Sequence, residues 1–576
     1  MEDDFLKSKK EISINPLERI ALSMSGGGYR AASFHLGILS YFNHKKYKGK
    51  PLLTNVKAIS TVSGGTITGA FYAAGIQKNK AFTQIYHELL AWIRKQDLVK
   101  EALTKISTKG LWNYAYKKKN LINAFAEIYD DTLFENDTLE VINNLENSHL
   151  EFVCFNATEF LTGLQFRFQH GGNYNYFGTN ELRISNNHYT DFRIGDIVAA
   201  SSAFPGGFEP LSLPEDFFDP RSEIYETIQK KLKDDGGSMG LMDGGIFDNQ
   251  GISALRRYEN KKSTSTFDLY FLCDVSSPYL APFQFSEEKI DEFRDSTLED
   301  QLNRLKNIKK NSIWLPIIIC AIGLILAALG KLQDNIITGI GITLLIIGFL
   351  SAFARFWLLK KIKGWFGDFN LYLKKLIPDF FEERLTLFDY KTTKIGRLEV
   401  LLLDRINSLK LLFPDIFLKR IRQLQYNGLY ENKQFDYRRA SCLIKELTVV
   451  DFKKTKKNFA FMGKFYPELK GETYQEIIGE NIKEYVDKAS EFGTTLWFTH
   501  DDFKEEKVKA LVVSGQVGCC QDLMVYVSEL INRKGSGFKN LDTDIQNNLK
   551  ELHAELLNDW LRFKDQPDWL YQELEK

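Results

Sequence analysis

The sequence predicts an α/β layered fold with a central, largely parallel sheet, to which a transmembrane helical hairpin and a helical region are added. Three observations lead there. Between residues 15 and 280, short apolar runs alternate with helical patterns, the signature of strands covered by helices. Three of those strands end in small, glycine-rich turns that open helices. Further along, two charge-free stretches follow one another at 313–330 and 336–354, each about 27–29 Å long as a helix against a hydrocarbon core of roughly 30 Å.

In chain order, Ile20 to Met24 reads as a buried strand, followed by a glycine turn and an apolar helix from Tyr29 to Phe42. Val56 to Val62 is a second strand, with a small-residue helix running through Ala74. Glu151–Phe155, Leu164–Phe168 and Phe267–Cys273 supply further strands. Residues 281–312 read as a juxtamembrane linker, 313–354 as the hairpin and 355–490 as a Leu-rich helical region containing Arg397–Asp404 and Phe417–Leu424. In the last stretch, 536–576, Thr543-Asp-Ile-Gln546 resembles a capping box. From it Ile545, Leu549, Leu552, Leu556, Trp560 and Phe563 recur at helical spacing as one apolar stripe. No repeat of 20–50 residues is present.

Charge sets bounds on function. Lys+Arg and Asp+Glu are both 75, a formal net charge of zero, which argues against a dedicated nucleic-acid binder. The first ten residues mix charges and lack an apolar core, so they are not read as a secretory signal. Arg304, Lys306, Lys309 and Lys310 precede the first uncharged stretch, and Arg355, Lys360, Lys361 and Lys363 follow the second. The tip holds only Lys331, offset by Asp334. Positive charge stays in the cytoplasm, so a two-span membrane protein with both large segments on the cytoplasmic side is expected. The six cysteines show no C-x-x-C spacing and read as buried, reduced thiols. With no calcium loop or His/Cys cluster, neither a metal nor another cofactor is expected.

Three constellations carry the chemistry. Ser25-Gly26-Gly27-Gly28-Tyr29-Arg30 closes a strand and opens a helix, where consecutive glycines can turn backbone N–H groups toward a phosphate or an oxyanion. Ser60-Thr61-Val62-Ser63-Gly64-Gly65 fits a nucleophile elbow, with small residues after the serine. Thr61 stands where G-x-S-x-G has its first glycine. In Leu241-Met-Asp243-Gly244-Gly245-Ile-Phe-Asp248-Asn249 an aspartate ends an apolar strand. A second Asp-Gly-Gly, at Asp235, lies in a polar stretch and reads as a solvated turn.

Together and in this order, the three resemble the patatin-like phospholipase family. The resemblance extends to Phe155-Asn-Ala-Thr158 with Thr162-Gly163, Ala200-Ser-Ser-Ala-Phe-Pro-Gly206 and His35-Leu-Gly37, over roughly residues 18–280. The Ser-Gly-Gly-Gly-Tyr-Arg wording is similar to the cytosolic phospholipase branch. The resemblance implies a patatin-like fold, with 491–535, around Thr495-Leu-Trp-Phe498 and Val512-Val-Ser-Gly515, as its closing segment, and a Ser–Asp dyad. Ser63 would be the nucleophile, Asp243 the base, and the amides of Gly26, Gly27 and Gly28 the oxyanion hole, with Arg30 offered to a lipid phosphate or to the loop itself. The expected activity is hydrolysis of phospholipid or lysophospholipid acyl esters at a bilayer. A transacylase or neutral-lipid lipase on the same dyad, and a non-catalytic membrane scaffold, are the alternatives. His500, which follows Asp243 in the order of an α/β-hydrolase triad, reads as surface loop, and His35 as a structural histidine.

Overall fold

Strands buried on both faces form near-continuous apolar runs, and the first half of this chain supplies them. A computed structural model describes residues 15–576 except 96, 108–109, 144, 146–147, 172–173, 175, 234–235, 262–266, 276–282, 298, 302, 305–313, 334–337, 353–391 and 534–535. The described strands are β1 (Ile20–Met24), β2 (Lys46–Tyr47), β3 (Lys50–Pro51), β4 (Val56–Val62), β5 (Phe152–Glu159), β6 (Gln165–Gly171), β7 (Tyr176–Gly178), β8 (Arg183–Ser185), β9 (Leu211–Leu213), β10 (Met239–Asp243), β11 (Leu269–Asp274) and β12 (Arg439–Leu443). The main sheet runs β12-β11-β1-β4-β5-β6-β7-β8, while β10 joins β5 to β9 and β2 pairs only with β3. From β12 through β5 the pairs are parallel. Beyond β5 they turn antiparallel. This is the α/β fold with a mostly parallel sheet that the alternation predicts.

Six helices of the first half matter here: α1 (Gly28–His44), α2 (Gly64–Gln77), α3 (Phe82–Lys95), α4 (Leu98–Ile106), α5 (Leu121–Tyr129) and α6 (Ile194–Ser202). The chain divides into two compact units, Met1–Leu280 with Asp415–Lys576, and Ala281–Pro414. The stretch expected to be helical, 355–490, supplies a strand as well: β12 pairs with β11 along the edge of the main sheet.

Register on β5 positions the site. β4 runs parallel to β5 and stops with Val62 opposite Asn156. β10 approaches from the other direction, antiparallel, and stops with Asp243 opposite Ala157. Two strand ends therefore meet against consecutive residues of one neighbour.

Among the described residues one helix is long and apolar enough to cross a membrane, Lys507–Asn532, and 94% of its apolar window is buried inside the protein. It lies against α1 through two glycines. A Cβ on Gly37 would come 2.0 Å from the Val512 carbonyl oxygen, and one on Gly515 would come 2.2 Å from that of Phe34. The final long helix, Thr543–Asp565, buries Ile545, Leu549, Leu552, Leu556, Trp560 and Phe563, the stripe read from the sequence. Its cap differs from expectation. Asp542, not Thr543, accepts from the Asp544 N–H at 2.9 Å, and Gln546 donates to the Leu541 carbonyl.

In the second unit, the stretch expected to be a transmembrane hairpin holds two shorter apolar helices of 10–17 residues, Pro316–Leu329 and Thr338–Ala352. Both expose large apolar side chains, among them Leu324, Ile325, Phe349 and Leu350. Of the expected basic flanks, Lys306, Lys309, Lys310, Arg355, Lys360, Lys361 and Lys363 lie outside the described residues, as does Asp334 at the tip.

The glycine crossing gives a test. Replacing glycine by alanine inside a helix favours the helix by about 1 kcal/mol. At position 37 the new methyl would meet backbone, which cannot swing aside, so overpacking should prevail. Gly37→Ala is expected to lower stability by roughly 1–3 kcal/mol in denaturant titration. An unchanged or raised midpoint would show that the two helices are free to separate.

Candidate active site

The nucleophile candidate sits on a strained turn. Between β4 and α2, Ser63 adopts φ 51° and ψ −123°, a region that L-residues occupy only when held. Small residues make the turn possible. A Cβ on Gly64 would lie 2.1 Å from the Gly28 carbonyl oxygen, and one on Gly65 2.5 Å from that of Met24. Thr61, the departure from G-x-S-x-G, fits because its methyl fills the space above Gly69, where a Cβ would approach it to 2.3 Å. Its hydroxyl donates to Thr66 Oγ1 at 3.0 Å.

Asp243 arrives at the end of β10, and the structure brings it to Ser63. The Gly245 N–H donates to its Oδ1 at 2.7 Å, and the nearby Ser63 hydroxyl favours its ionised form. Glycine is required after it on two counts. A Cβ on Gly244 would lie 2.4 Å from the Asn156 carbonyl oxygen, and one on Gly245 2.9 Å from Asp243 Oδ1. Both dyad side chains are buried. Burial pushes the Asp243 carboxyl up to about 6, against the opposing pull of the Gly245 N–H and the Ser63 hydroxyl. A carboxylate raised toward neutrality is a better proton acceptor than one at its ordinary value near 3.9.

The glycine loop between β1 and α1 divides its labour. The N–H of Gly26 donates to the Asn249 carbonyl at 3.1 Å. It is thus withdrawn from the donor set expected at the oxyanion hole, and Gly26 contributes closeness instead: a Cβ there would come 3.0 Å from Ser63 Cβ. Gly27, at φ 153°, and Gly28, at φ 59°, occupy backbone conformations suited to glycine. Among the described residues no hydrogen bond takes the N–H of either. Two amides at a helix N-terminus beside a serine hydroxyl can receive developing negative charge.

Arg30 points away from that work. Its guanidinium donates to the Phe492 carbonyl at 2.9 Å and to Thr494 Oγ1 at 3.0 Å. Burial lowers its pKa to about 10. The same segment accepts the Tyr29 N–H on the Thr495 carbonyl at 2.8 Å and stacks Phe498 on the Tyr29 ring. Arg30 therefore fastens the 492–498 strap over the glycine loop, the second of the two roles offered to it. His500 is exposed at the start of the short helix His500–Lys504. His35 is buried, and burial pushes it down to about 3, so it is neutral. Asp235 lies outside the described residues.

Two contributors carried no sequence signal of their own. Asn249 follows the Asp-Gly-Gly motif, and its side-chain oxygen would lie 2.7 Å from a Cβ on either Gly26 or Gly245. Ser201, inside the Ala-Ser-Ser-Ala-Phe-Pro run, accepts the Ser63 N–H at 2.9 Å. The contact spans 138 residues of sequence, and neither end predicts the other.

Burying Asp243 has a consequence for stability. Its folded value, about 6, lies above the unfolded value near 3.9, so the folded state holds the proton more tightly. The stability this confers is fully present below about pH 4 and is lost as the pH rises through about 6. Ionised Asp243 then costs roughly 3 kcal/mol at neutral pH. Asp243→Asn removes the charge, so this variant should resist denaturant better than wild type at pH 8 and equally at pH 4. Matching midpoints at pH 8 would mean that solvent reaches the carboxylate.

Residues 22–256 match the family model described as patatin-like phospholipase. No curated protein matches the sequence. Among solved structures, human GIVD cytosolic phospholipase A2 is similar at 12% identity with a TM-score of 0.27, over 44% of this chain and 46% of that one. This chain thus spans less than half the length of that structure. Residues 22–256 are thus similar to patatin-like phospholipases.

Proposed function

We propose that the protein is a membrane-anchored lipid acyl hydrolase that cleaves phospholipid or lysophospholipid esters through a Ser63–Asp243 dyad. One observation carries the reading: the Ser63 hydroxyl lies near the buried carboxylate of Asp243, beside the Gly27 and Gly28 amides, which no hydrogen bond takes among the described residues. Asp243 takes the hydroxyl proton as Ser63 Oγ attacks the ester carbonyl carbon. The oxyanion lies against the two glycine amides, each such donor contributing about 2.7–4 kcal/mol. Collapse expels the alcohol, which receives the proton from Asp243, and leaves the acyl group on Ser63. Water, deprotonated by the same carboxylate, then releases the fatty acid and restores the serine.

The match of residues 22–256 to a phospholipase family model supports a lipid ester as substrate. The outward apolar side chains of Pro316–Leu329 and Thr338–Ala352 support a hairpin set in lipid. The basic residues on both flanks in the sequence support a cytoplasmic catalytic domain. A tethered enzyme meets its substrate at high local concentration, without renewed loss of association entropy at each turnover.

Ser63→Ala should abolish both fluorophosphonate labelling and release of fatty acid from labelled lysophospholipid. Asp243→Asn should lower kcat by roughly 10²–10⁴. His500→Ala should leave both largely intact. For wild type, kcat/KM should rise with pH through about 6 as Asp243 ionises. Loss of activity in folded His500→Ala would replace the dyad by a triad.

Deleting 313–354 should turn a protein that resists alkaline carbonate extraction into one that is released. Retention in washed membranes after the deletion would place the anchor elsewhere.

A further inference from the structure

The end of α6 touches both halves of the dyad. Carbonyl groups in the last turn of a helix lack partners within it, and two of them serve the aspartate side. The Ala203 carbonyl accepts the N–H of Asp243 at 3.1 Å, and the Ser201 carbonyl accepts that of Gly244 at 3.3 Å. On the serine side, the Ser201 hydroxyl oxygen accepts the Ser63 N–H at 2.9 Å. Two residues of one helix end, Ser201 and Ala203, thus hold the backbone of both strand termini that meet on β5.

The hydrogen bonds around Ser201 permit a single proton order. A hydroxyl offers one proton and two lone pairs. Ser201 Oγ donates to the Asn156 carbonyl at 2.7 Å. With that proton committed, the contact to Thr66 Oγ1 at 2.8 Å must be a donation from Thr66. Thr66 in turn accepts from Thr61 Oγ1 at 3.0 Å. Thr61, Thr66 and Ser201 form a buried chain of hydroxyls, each orienting the next, that ends on the Ser63 amide. The residue that departs from the usual elbow motif, Thr61, is the start of that chain.

We propose that Ser201 is a positioning residue for acyl transfer at Ser63, holding the nucleophile and Asp243 in register, with Thr66 orienting its lone pairs. The inference rests on the dyad reading above. Without the Ser201 hydroxyl the Ser63 N–H would be buried and unpaired, and a turn held at φ 51° would lose one of its restraints. Small displacements of a reacting group cost large factors in rate while leaving remote binding untouched.

The test is inactivation of the full-length, detergent-solubilised protein by an alkyl fluorophosphonate, with the maximal rate and the saturation constant measured separately. Ser201→Ala should label about tenfold more slowly or worse, at an unchanged saturation constant. Amide hydrogen exchange at Ser63 should accelerate in the same variant, a readout that needs no activity. Thr66→Val should label about threefold more slowly, and Thr66→Ser, which restores the hydroxyl, should recover the rate. Should Ser201→Ala not fold, the Thr66 pair carries the test. Ser202→Ala is the internal control: that hydroxyl, next on the helix, is buried and makes no hydrogen bond among the described residues. A wild-type labelling rate in Ser201→Ala, or Thr66→Ser as slow as Thr66→Val, overturns the positioning role while leaving the dyad standing. A wild type that never labels removes the dyad and this role together.

Discussion

β5 acts as a ruler for two strand ends. Because β4 runs parallel to it and stops opposite Asn156, while β10 runs antiparallel and stops opposite Ala157, the residue after one terminus and the last residue of the other must be neighbours. Ser63 and Asp243 are 180 positions apart in the chain, yet their meeting requires only that each strand pair in its own register. A one-residue slip of either would turn its side chains to the opposite face of the sheet. Asn156 reinforces that register by donating from its side chain to Ser60 Oγ and to the Thr61 carbonyl at the end of β4.

Two unfavourable states are concentrated at this junction. Ser63 is strained, and the carboxyl of Asp243 is desolvated. Each is opposed locally by hydrogen bonds: the Ser63 amide rests on Ser201, and the carboxylate accepts from Gly245. The glycines around the site do two different jobs. Gly64, Gly65 and Gly244 let backbones approach to distances a side chain would forbid. Gly27 and Gly28 instead present N–H groups that nothing else uses among the described residues. Gly26 belongs with the first set, since its amide closes onto Asn249. The match of residues 22–256 to a patatin-like phospholipase model supports the lipid ester chemistry proposed for this site.

Much of this was legible in the sequence, for local reasons. A short apolar strand, a small-residue turn and a helix recur at Ser25, Ser63 and Asp243, and such punctuation needs no tertiary information. The apolar stripe of the final helix was equally plain, because its spacing encodes its buried face. What escaped depends on partners distant in sequence. Ser201 gains its role from an amide 138 residues away, and the engagement of Gly26 depends on Asn249. Arg30 was open to two roles, and only the return of residues 492–494 decides between them. The Lys507–Asn532 helix is long and apolar enough to cross a membrane, yet it is buried inside the protein against α1. Asp542 took the cap expected of Thr543, a shift of one residue within the reach of end effects.

The central claim is that a serine hydroxyl and a raised carboxylate act beneath two glycine amides, and an organophosphonate adduct would test it most directly. In an experimental structure of that adduct, phosphorus should be bonded to Ser63 Oγ, with the phosphoryl oxygen about 3 Å from the nitrogens of Gly27 and Gly28. Phosphorus on another residue, or an oxygen turned away from those amides, would contradict the account.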